Sequence, residues 1–254
     1  MGWNFDRTEP TNFARNPLQS VVGQLSYYPS LRISEKVADF QESIRDEYLD
    51  FEKGVHKDIS FTPDGDTEVQ EEEQFVFKSP NENWRVVLRA GALALESRKH
   101  EKREEFIERF DELYQKLNAT YDIRPRRLGL RYVNIVPRGE LMADLGEEDL
   151  AWSDLLNESF LPLSEELFSV DDSSFYTEVN SSIEPGGLVL RFGITDSTAD
   201  PALRVDLDRF AEDDTVLEDV RGSLETFSTD IYSLFVSAAG DKLLEWMQTE
   251  REES

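Results

Sequence analysis

The chain has 254 residues, with 54 acidic against 27 basic side chains, a net charge of −27 and no cysteine. The absent thiols exclude disulfides, thiolate nucleophiles and cysteine-ligated metals. So acidic a chain also disfavours nucleic acid, whose phosphates need a basic footprint. An apolar fraction of 39%, with 16 Phe, suffices for a packed core. No apolar run reaches the length of a membrane span, and the opening residues lack the apolar centre of a signal peptide. A soluble, cytoplasmic protein without membrane contact is expected.

The charge is spread unevenly. Residues 1–138 hold 21 basic and 25 acidic side chains, residues 139–254 hold 6 and 29, and the segment 85–138 holds 13 and 8. A uniform acidic coat would not spare one segment in this way. Solvated faces explain most charge runs; the alternative is a bipolar surface with an anion-facing region near the middle.

In chain order, residues 1–16 are polar and unpatterned and read as an extended lead-in. A strand over 20–28 ends at Pro29. Ser34 is placed to cap a helix carrying Val37, Phe40, Ile44 and Tyr48 on one stripe, with Gly54 closing it. Four short strands follow, at 57–62, 74–78, 84–90 and 92–98, with turns at 63–66 and 79–83 and an acidic exposed loop at 68–73. A helix over 101–118 presents Phe106, Phe110, Leu113 and Leu117 on one side.

Residues 125–136 then alternate strictly, with Leu128, Leu130 and Tyr132 on one face and Arg127, Gly129 and Arg131 on the other, which marks a half-buried strand. Residues 147–168 read as helical with a break near Pro162. Strands are expected at 175–183, 188–195 and 202–207, joined by turns at 184–187 and 196–201. A last long helix carries Leu217, Val220, Leu224, Phe227, Ile231, Leu234 and Ala238, and its period runs on towards Trp246.

Each half thus reads strand, helix, meander, helix. The expectation is an α+β fold in which duplicated halves, 17–120 and 121–248, form a curved antiparallel sheet with helices on one face, within a single domain. That order is similar to TATA-binding-protein-like and helix-grip folds, a likeness of fold that fixes no function.

With helices on one face, strand alternation assigns the other. It would carry Arg85, Arg89, Arg127, Arg131, Arg191 and Arg204, together with Asp206 and Asp208. Guanidinium forks suit carboxylate or phosphate, so these six arginines are the candidate binding residues for a small anion or an acidic partner; cross-strand ion pairing is the bland account of the same residues. Asp206 and Asp208 share a strand face and are the candidate metal ligands, although Mg²⁺ needs further oxygen donors. His56 and His100 have no ligand-spaced companion and read as surface residues. There is no GxSxG, P-loop or GxGxxG, nor the Glu-x-Glu-x-Lys signature of triphosphate-tunnel enzymes, so no catalytic residue and no cofactor is assigned.

Asn16-Pro17-Leu18 before the first strand, Arg127-Leu128-Gly129-Leu130-Arg131-Tyr132-Val133-Asn134 at mid-chain, and Val205-Asp206-Leu207-Asp208 before the last helix resemble a sporadically distributed prokaryotic family of uncharacterised proteins. The resemblance runs from about residue 15 to 245; Gly23-Gln24-Leu25 departs from that family's acidic, aliphatic first strand. It transfers no activity. Its patchy distribution implies a setting in mobile-element or antiviral-defence clusters. The sequence therefore predicts a non-enzymatic binding or adaptor protein that meets a protein partner through its sheet face or acidic C-terminal half. The alternative is a small-anion or nucleotide-binding protein, or a metal-dependent phosphohydrolase, working from the arginine face.

Overall fold

The computed structural model describes residues 6–61, 67–100, 102–160, 175–195, 201–212 and 217–249. Its elements in chain order are β1 (Leu18–Tyr27), α1 (Arg32–Ile44), β2 (Asp50–Phe61), β3 (Thr67–Lys78), β4 (Trp84–Arg89), β5 (Ala92–Ser97), α2 (Arg103–Tyr121), β6 (Pro125–Pro137), α3 (Arg138–Leu145), α4 (Trp152–Leu155), a 3-10 turn (Glu158–Phe160), β7 (Tyr176–Ser182), β8 (Gly187–Thr195), β9 (Ala202–Ala211), α5 (Val220–Ala238) and α6 (Asp241–Gln248). The fold is α+β, with an open antiparallel sheet in the order β2-β3-β4-β5-β1-β6-β9-β8-β7. Among the described residues, no helix is long and apolar enough to cross a membrane.

The chain divides into two compact units. The first takes Met1–Val21, Leu130–Phe210 and Glu225–Ser254; the second takes Val22–Gly129 and Ala211–Leu224. Strands β1 and β6 contribute to both. In the first unit the Ile135 N–H donates to the Pro17 carbonyl at 2.9 Å, and in the second the Tyr28 N–H donates to the Arg124 carbonyl at 3.0 Å.

In the second unit α2 lies against the sheet where β1 offers no side chain. A Cβ on Gly23 would stand 2.8 Å from the Phe110 ring, so only glycine admits that ring without a shift. Phe40 meets Phe77 at 5.9 Å and Trp84 meets Phe106 at 6.0 Å, joining α1 and α2 to the same buried face. Val86 and Leu88 are buried with them, while Arg85 and Arg89 take the other parity and are half-buried.

Three expectations for this unit are corrected. Helix α1 starts at Arg32 and ends at Ile44, so Ser34 lies inside it rather than capping it, and the capping position, Leu31, makes no side-chain cap. Gly54 closes no helix; it sits within β2, opposite Gln74 of β3. The acidic stretch 68–73 is part of β3 rather than a loop, because β2 sets lysines against it: Lys53 pairs with Glu73 at 2.5 Å and Lys57 with Glu71 at 2.6 Å. The turn expected at 63–66 lies outside the described residues. His100 is also more enclosed than a surface residue. Its ring meets Phe106 edge-on at 6.0 Å, and burial pushes its pKa down to about 4.

In the first unit the residues expected inward on β8 and β9, Leu188, Leu190, Leu203, Val205 and Leu207, are buried, but Val189 and Asp206 of the other parity are buried as well. The same inward parity continues to Arg209, which is fully buried and points at α5. Its Nε donates to Asp230 Oδ2 at 3.1 Å, and its guanidinium lies 4.7 Å from the Phe227 ring centroid. Its Nη1 donates to the carbonyls of Pro185 (2.7 Å), Gly187 (3.2 Å) and Phe210 (2.7 Å). Burial pulls the Arg209 pKa below its ordinary value, and Asp230 opposes that pull. The other oxygen of Asp230 accepts from Arg7 Nε at 2.7 Å.

Arg7 belongs to the stretch expected as a bare lead-in, which is instead fastened to α5 and α6. The Thr8 N–H donates to Ser233 Oγ at 2.8 Å, the Thr11 and Tyr232 hydroxyls share a hydrogen bond of 2.8 Å, and Phe13 stacks on Tyr232 at 6.1 Å. Arg15 pairs with Asp144 and lies 5.7 Å from the Trp246 ring.

Two further expectations are corrected here. Helix begins at Arg138, directly after β6, rather than near residue 147, and 161–174 lie outside the described residues. The last helix does not run unbroken to Trp246 but stops at Ala238 and restarts at Asp241. The cause is backbone docking from α4. The Gly240 N–H donates to the Leu155 carbonyl and the Asn157 N–H to the Ala238 carbonyl, and a Cβ on Gly240 would stand 2.3 Å from the Asp154 carbonyl oxygen. Gly240→Ala is therefore expected to lower stability by about 1–3 kcal/mol in urea unfolding, through overpacking against backbone that cannot swing aside.

A sharper contrast is expected within the buried ion network. Asp230→Ala leaves the Arg209 guanidinium enclosed without its carboxylate and should cost roughly 3–5 kcal/mol. Arg7→Ala removes an arginine that is more than half exposed and should cost about 1 kcal/mol or less. Equal losses from the two variants would show that Asp230 acts through Arg7 rather than Arg209.

Candidate functional site

The register of the first unit fixes how its outward residues meet. Arg191 of β8 stands opposite Asp206 of β9 and Glu178 of β7, and Gly193 stands opposite Arg204 and Tyr176. Alternation puts Arg204, Asp206 and Asp208 on one face of β9, as expected from the sequence, and Arg131 of β6 reaches that face.

Asp206 is the centre of the cluster. Arg131 donates to both its oxygens, Nε to Oδ1 at 2.8 Å and Nη2 to Oδ2 at 2.5 Å, and Arg204 adds Nη2 to Oδ2 at 3.1 Å. Although its parity is outward, Asp206 is 1% exposed, because the two arginines cover it while remaining 41% and 43% exposed themselves. Burial raises the pKa of Asp206, but the hydrogen bonds and charges of Arg131 and then Arg204 outweigh it and hold the carboxyl below its usual range. The same hydrogen bonding to Asp206 raises the Arg131 pKa, to which Asp208 and Tyr176 add.

Three of the four other candidate arginines also meet carboxylates. Arg191 donates to Glu178 at 2.7 Å. In the second unit Arg85 donates to Glu96 at 3.2 Å, and Arg89 lies 3.9 Å from Glu72. Arg127 folds over Gly129, its Nη1 lying 3.0 Å from where a Cβ would stand. The structure thus brings Arg131, Arg204 and Asp206 together in one unit and engages Arg85 and Arg89 separately in the other. The partners Glu178, Glu96 and Glu72 were missed in sequence. Once strand register is known two of them are found directly: Glu96 faces Arg85 across β4 and β5, and Glu178 faces Arg191 across β7 and β8.

Chemically, the Asp206 cluster is a preorganised cation pair. Two planar forks share one buried carboxylate, with Asp208 acting on Arg131 from the same strand face, and N–H groups of both arginines are directed elsewhere than Asp206. Asp206 itself already accepts three hydrogen bonds from guanidinium. No group of three or more His, Asp or Glu suited to a metal ion occurs among the described residues.

No family model matches the chain, and no curated protein matches it. Among solved structures it is similar to the di-domain ARO/CYC StfQ from the steffimycin biosynthetic pathway, at 10% identity and a TM-score of 0.21, over 90% of this chain and 96% of that one. A likeness of that score carries no argument about fold or activity.

Removing Arg131 separates the buried carboxylate from its main partner. Arg131→Ala should lower stability by about 1–3 kcal/mol at neutral pH, less than a fully buried pair because Arg131 is partly solvated. The folded pKa of Asp206 lies below its unfolded value of roughly 3.9. Its contribution is therefore present above about pH 4 and is lost as pH falls through the folded pKa. Denaturation curves of wild type and variant should differ most near neutrality and converge in strong acid.

Proposed function

We propose that this is a non-enzymatic binding or adaptor protein that engages an acidic protein partner through its sheet face. The observation that carries the reading is the Asp206 cluster: two half-exposed guanidiniums fixed in place by one buried carboxylate. Groups already held in a single geometry lose little side-chain freedom on binding, so they favour recognition. The guanidinium N–H groups not spent on Asp206 suit the carboxylates of an acidic surface. The duplicated strand–helix–meander–helix halves, in a single domain with a TATA-binding-protein-like or helix-grip-like sheet, belong to the same reading, supported by the central neighbours β1 and β6 in the strand order. A cytoplasmic setting in a prokaryotic defence or mobile-element system rests on the family resemblance alone.

The other reading, a nucleotide-binding protein or metal-dependent phosphohydrolase with Asp206 and Asp208 as ligands, draws less support. A carboxylate already saturated by two arginines is a poor metal donor.

Arg204→Ala tests the proposal, because it removes one half-exposed guanidinium and leaves Asp206 held at both oxygens by Arg131. Quantitative co-purification from the native cells should recover a partner with wild type and lose it with the variant, which should stay folded and lose less stability than Arg131→Ala. In parallel, nucleotides, polyphosphates and divalent ions should leave the wild-type melting temperature unmoved, since a ligand of the folded state raises it. A rise with Mg²⁺ and a nucleotide, abolished by Asp208→Asn, would overturn the adaptor reading in favour of the phosphohydrolase.

A further inference from the structure

With 54 acidic side chains available, arginines of this chain find carboxylates easily. Thirteen of the described arginines do. Arg127 and Arg221 have contacts of their own. The exceptions among the described residues are Arg32, Arg124 and Arg126, all exposed and all at backbone positions beside Tyr28 in the second unit.

The corner is built around Tyr28, at the end of β1. The Tyr28 N–H is bonded to the Arg124 carbonyl, and the Arg126 guanidinium lies 5.0 Å from the Tyr28 ring centroid. The Ser30 N–H donates to the Ala90 carbonyl at 2.9 Å, which fixes the chain as it turns into α1 at Arg32. Large apolar side chains surface at the same place: Tyr28 is 61% exposed and Leu31 is 89% exposed. Neither side chain is needed by the core, and Arg32, a cation at the first position of a helix, opposes the helix dipole. Folding therefore gives no account of this set of residues.

We infer that the Tyr28, Leu31, Arg32, Arg124 and Arg126 corner is a docking surface for a short acidic segment of another protein, one that carries an aliphatic or aromatic side chain between its carboxylates. Arginine and tyrosine side by side are the side chains that dominate protein interfaces. Leu31 and the Tyr28 ring offer apolar area for the central side chain, and the three guanidiniums offer forks for its carboxylates. A long polyanion fits less well. Every phosphate of a nucleic acid, or of an anionic lipid surface, meets the repulsion of a chain with net charge −27, whereas a segment with two or three carboxylates meets little of it. This surface lies in the second unit and is independent of the Arg131 and Arg204 pair.

The test selects short random peptides, displayed on phage, against the full chain. Selected peptides should carry Asp or Glu beside Leu, Phe or Tyr. They should bind Arg124→Ala plus Arg126→Ala about tenfold more weakly than wild type, and Leu31→Ser should weaken them as well. All these positions are exposed, so the variants should keep the wild-type melting temperature. Arg204→Ala should bind the peptides as wild type does, which separates failure here from failure of the adaptor reading above. The inference is overturned if no acidic peptide is selected, or if the selected peptides bind the Arg124 and Arg126 variant unchanged. It is equally overturned if a single-stranded oligonucleotide or vesicles of anionic lipid bind this corner more tightly than the peptides do.

Discussion

The first unit depends on how one buried guanidinium is satisfied. Removing an arginine from water costs several kcal/mol, and only a close carboxylate with further acceptors offsets that. Arg209 obtains Asp230 from α5 together with three backbone carbonyls, those of Pro185 and Gly187 at the start of β8 and of Phe210 beside it. The four acceptors come from three pieces of chain, so satisfying Arg209 places the helix, the β7–β8 turn and the end of β9 together. Its Nη2 has no hydrogen-bond partner among the described residues, and Phe227 covers the guanidinium by cation–π contact. Asp230 in turn attracts Arg7, and with it a polar segment that has too few apolar side chains to dock by burial. An apolar residue at position 209 would pack as well but would specify none of these neighbours.

Much of the strand layout was legible in the sequence, and the misses share a physical cause. Alternation located β4, β6, β8 and β9 and most of their inward apolar residues, because burial on one side of a sheet imposes a period of two. The same rule, continued two residues past Leu207, puts Arg209 inside. A charged side chain at the end of an apolar series is easily taken for the end of the strand. Asp230 likewise falls inside the stripe of Phe227, Ile231 and Leu234 on α5. What sequence could not supply was pairing between distant segments. The acidic run 68–73 is a strand because lysines of β2 face it, and α5 ends at Ala238 because backbone from α4 docks there. The docked N-terminal segment was invisible for a related reason: hydrogen bonds of Thr8, Thr11 and Arg15 leave no periodicity.

The candidate site shows what segment charge can and cannot reveal. The excess of basic residues in 85–138 is real, yet Arg85, Arg89, Arg98, Arg103, Arg109, Arg131 and Arg138 each meet a carboxylate in the fold. Counting charges along the chain weighs these equally with Arg124 and Arg126. Pairing separates them, and pairing follows from register, which no composition contains. Asp206 makes the same point from the acidic side. Its outward parity suggested an available ligand, whereas two arginines from different strands have enclosed it.

The two cationic features left at the surface therefore differ in kind. Arg131 and Arg204 sit over a buried carboxylate in a region of lowered dielectric, where their mutual geometry is fixed and added salt screens little of the interaction that fixes it. Arg32, Arg124 and Arg126 stand in water, where ions at physiological strength screen charge beyond about 8 Å. Attraction at that corner must come from direct contact rather than from long-range steering, and its strength has to fall as salt rises. Contact of that kind needs apolar area as well as charge, because an exposed ion pair alone contributes about 1 kcal/mol at most. Leu31 and Tyr28 supply that area beside the only arginines among the described residues that the fold itself leaves without a partner, save the ring of Tyr28 beneath Arg126.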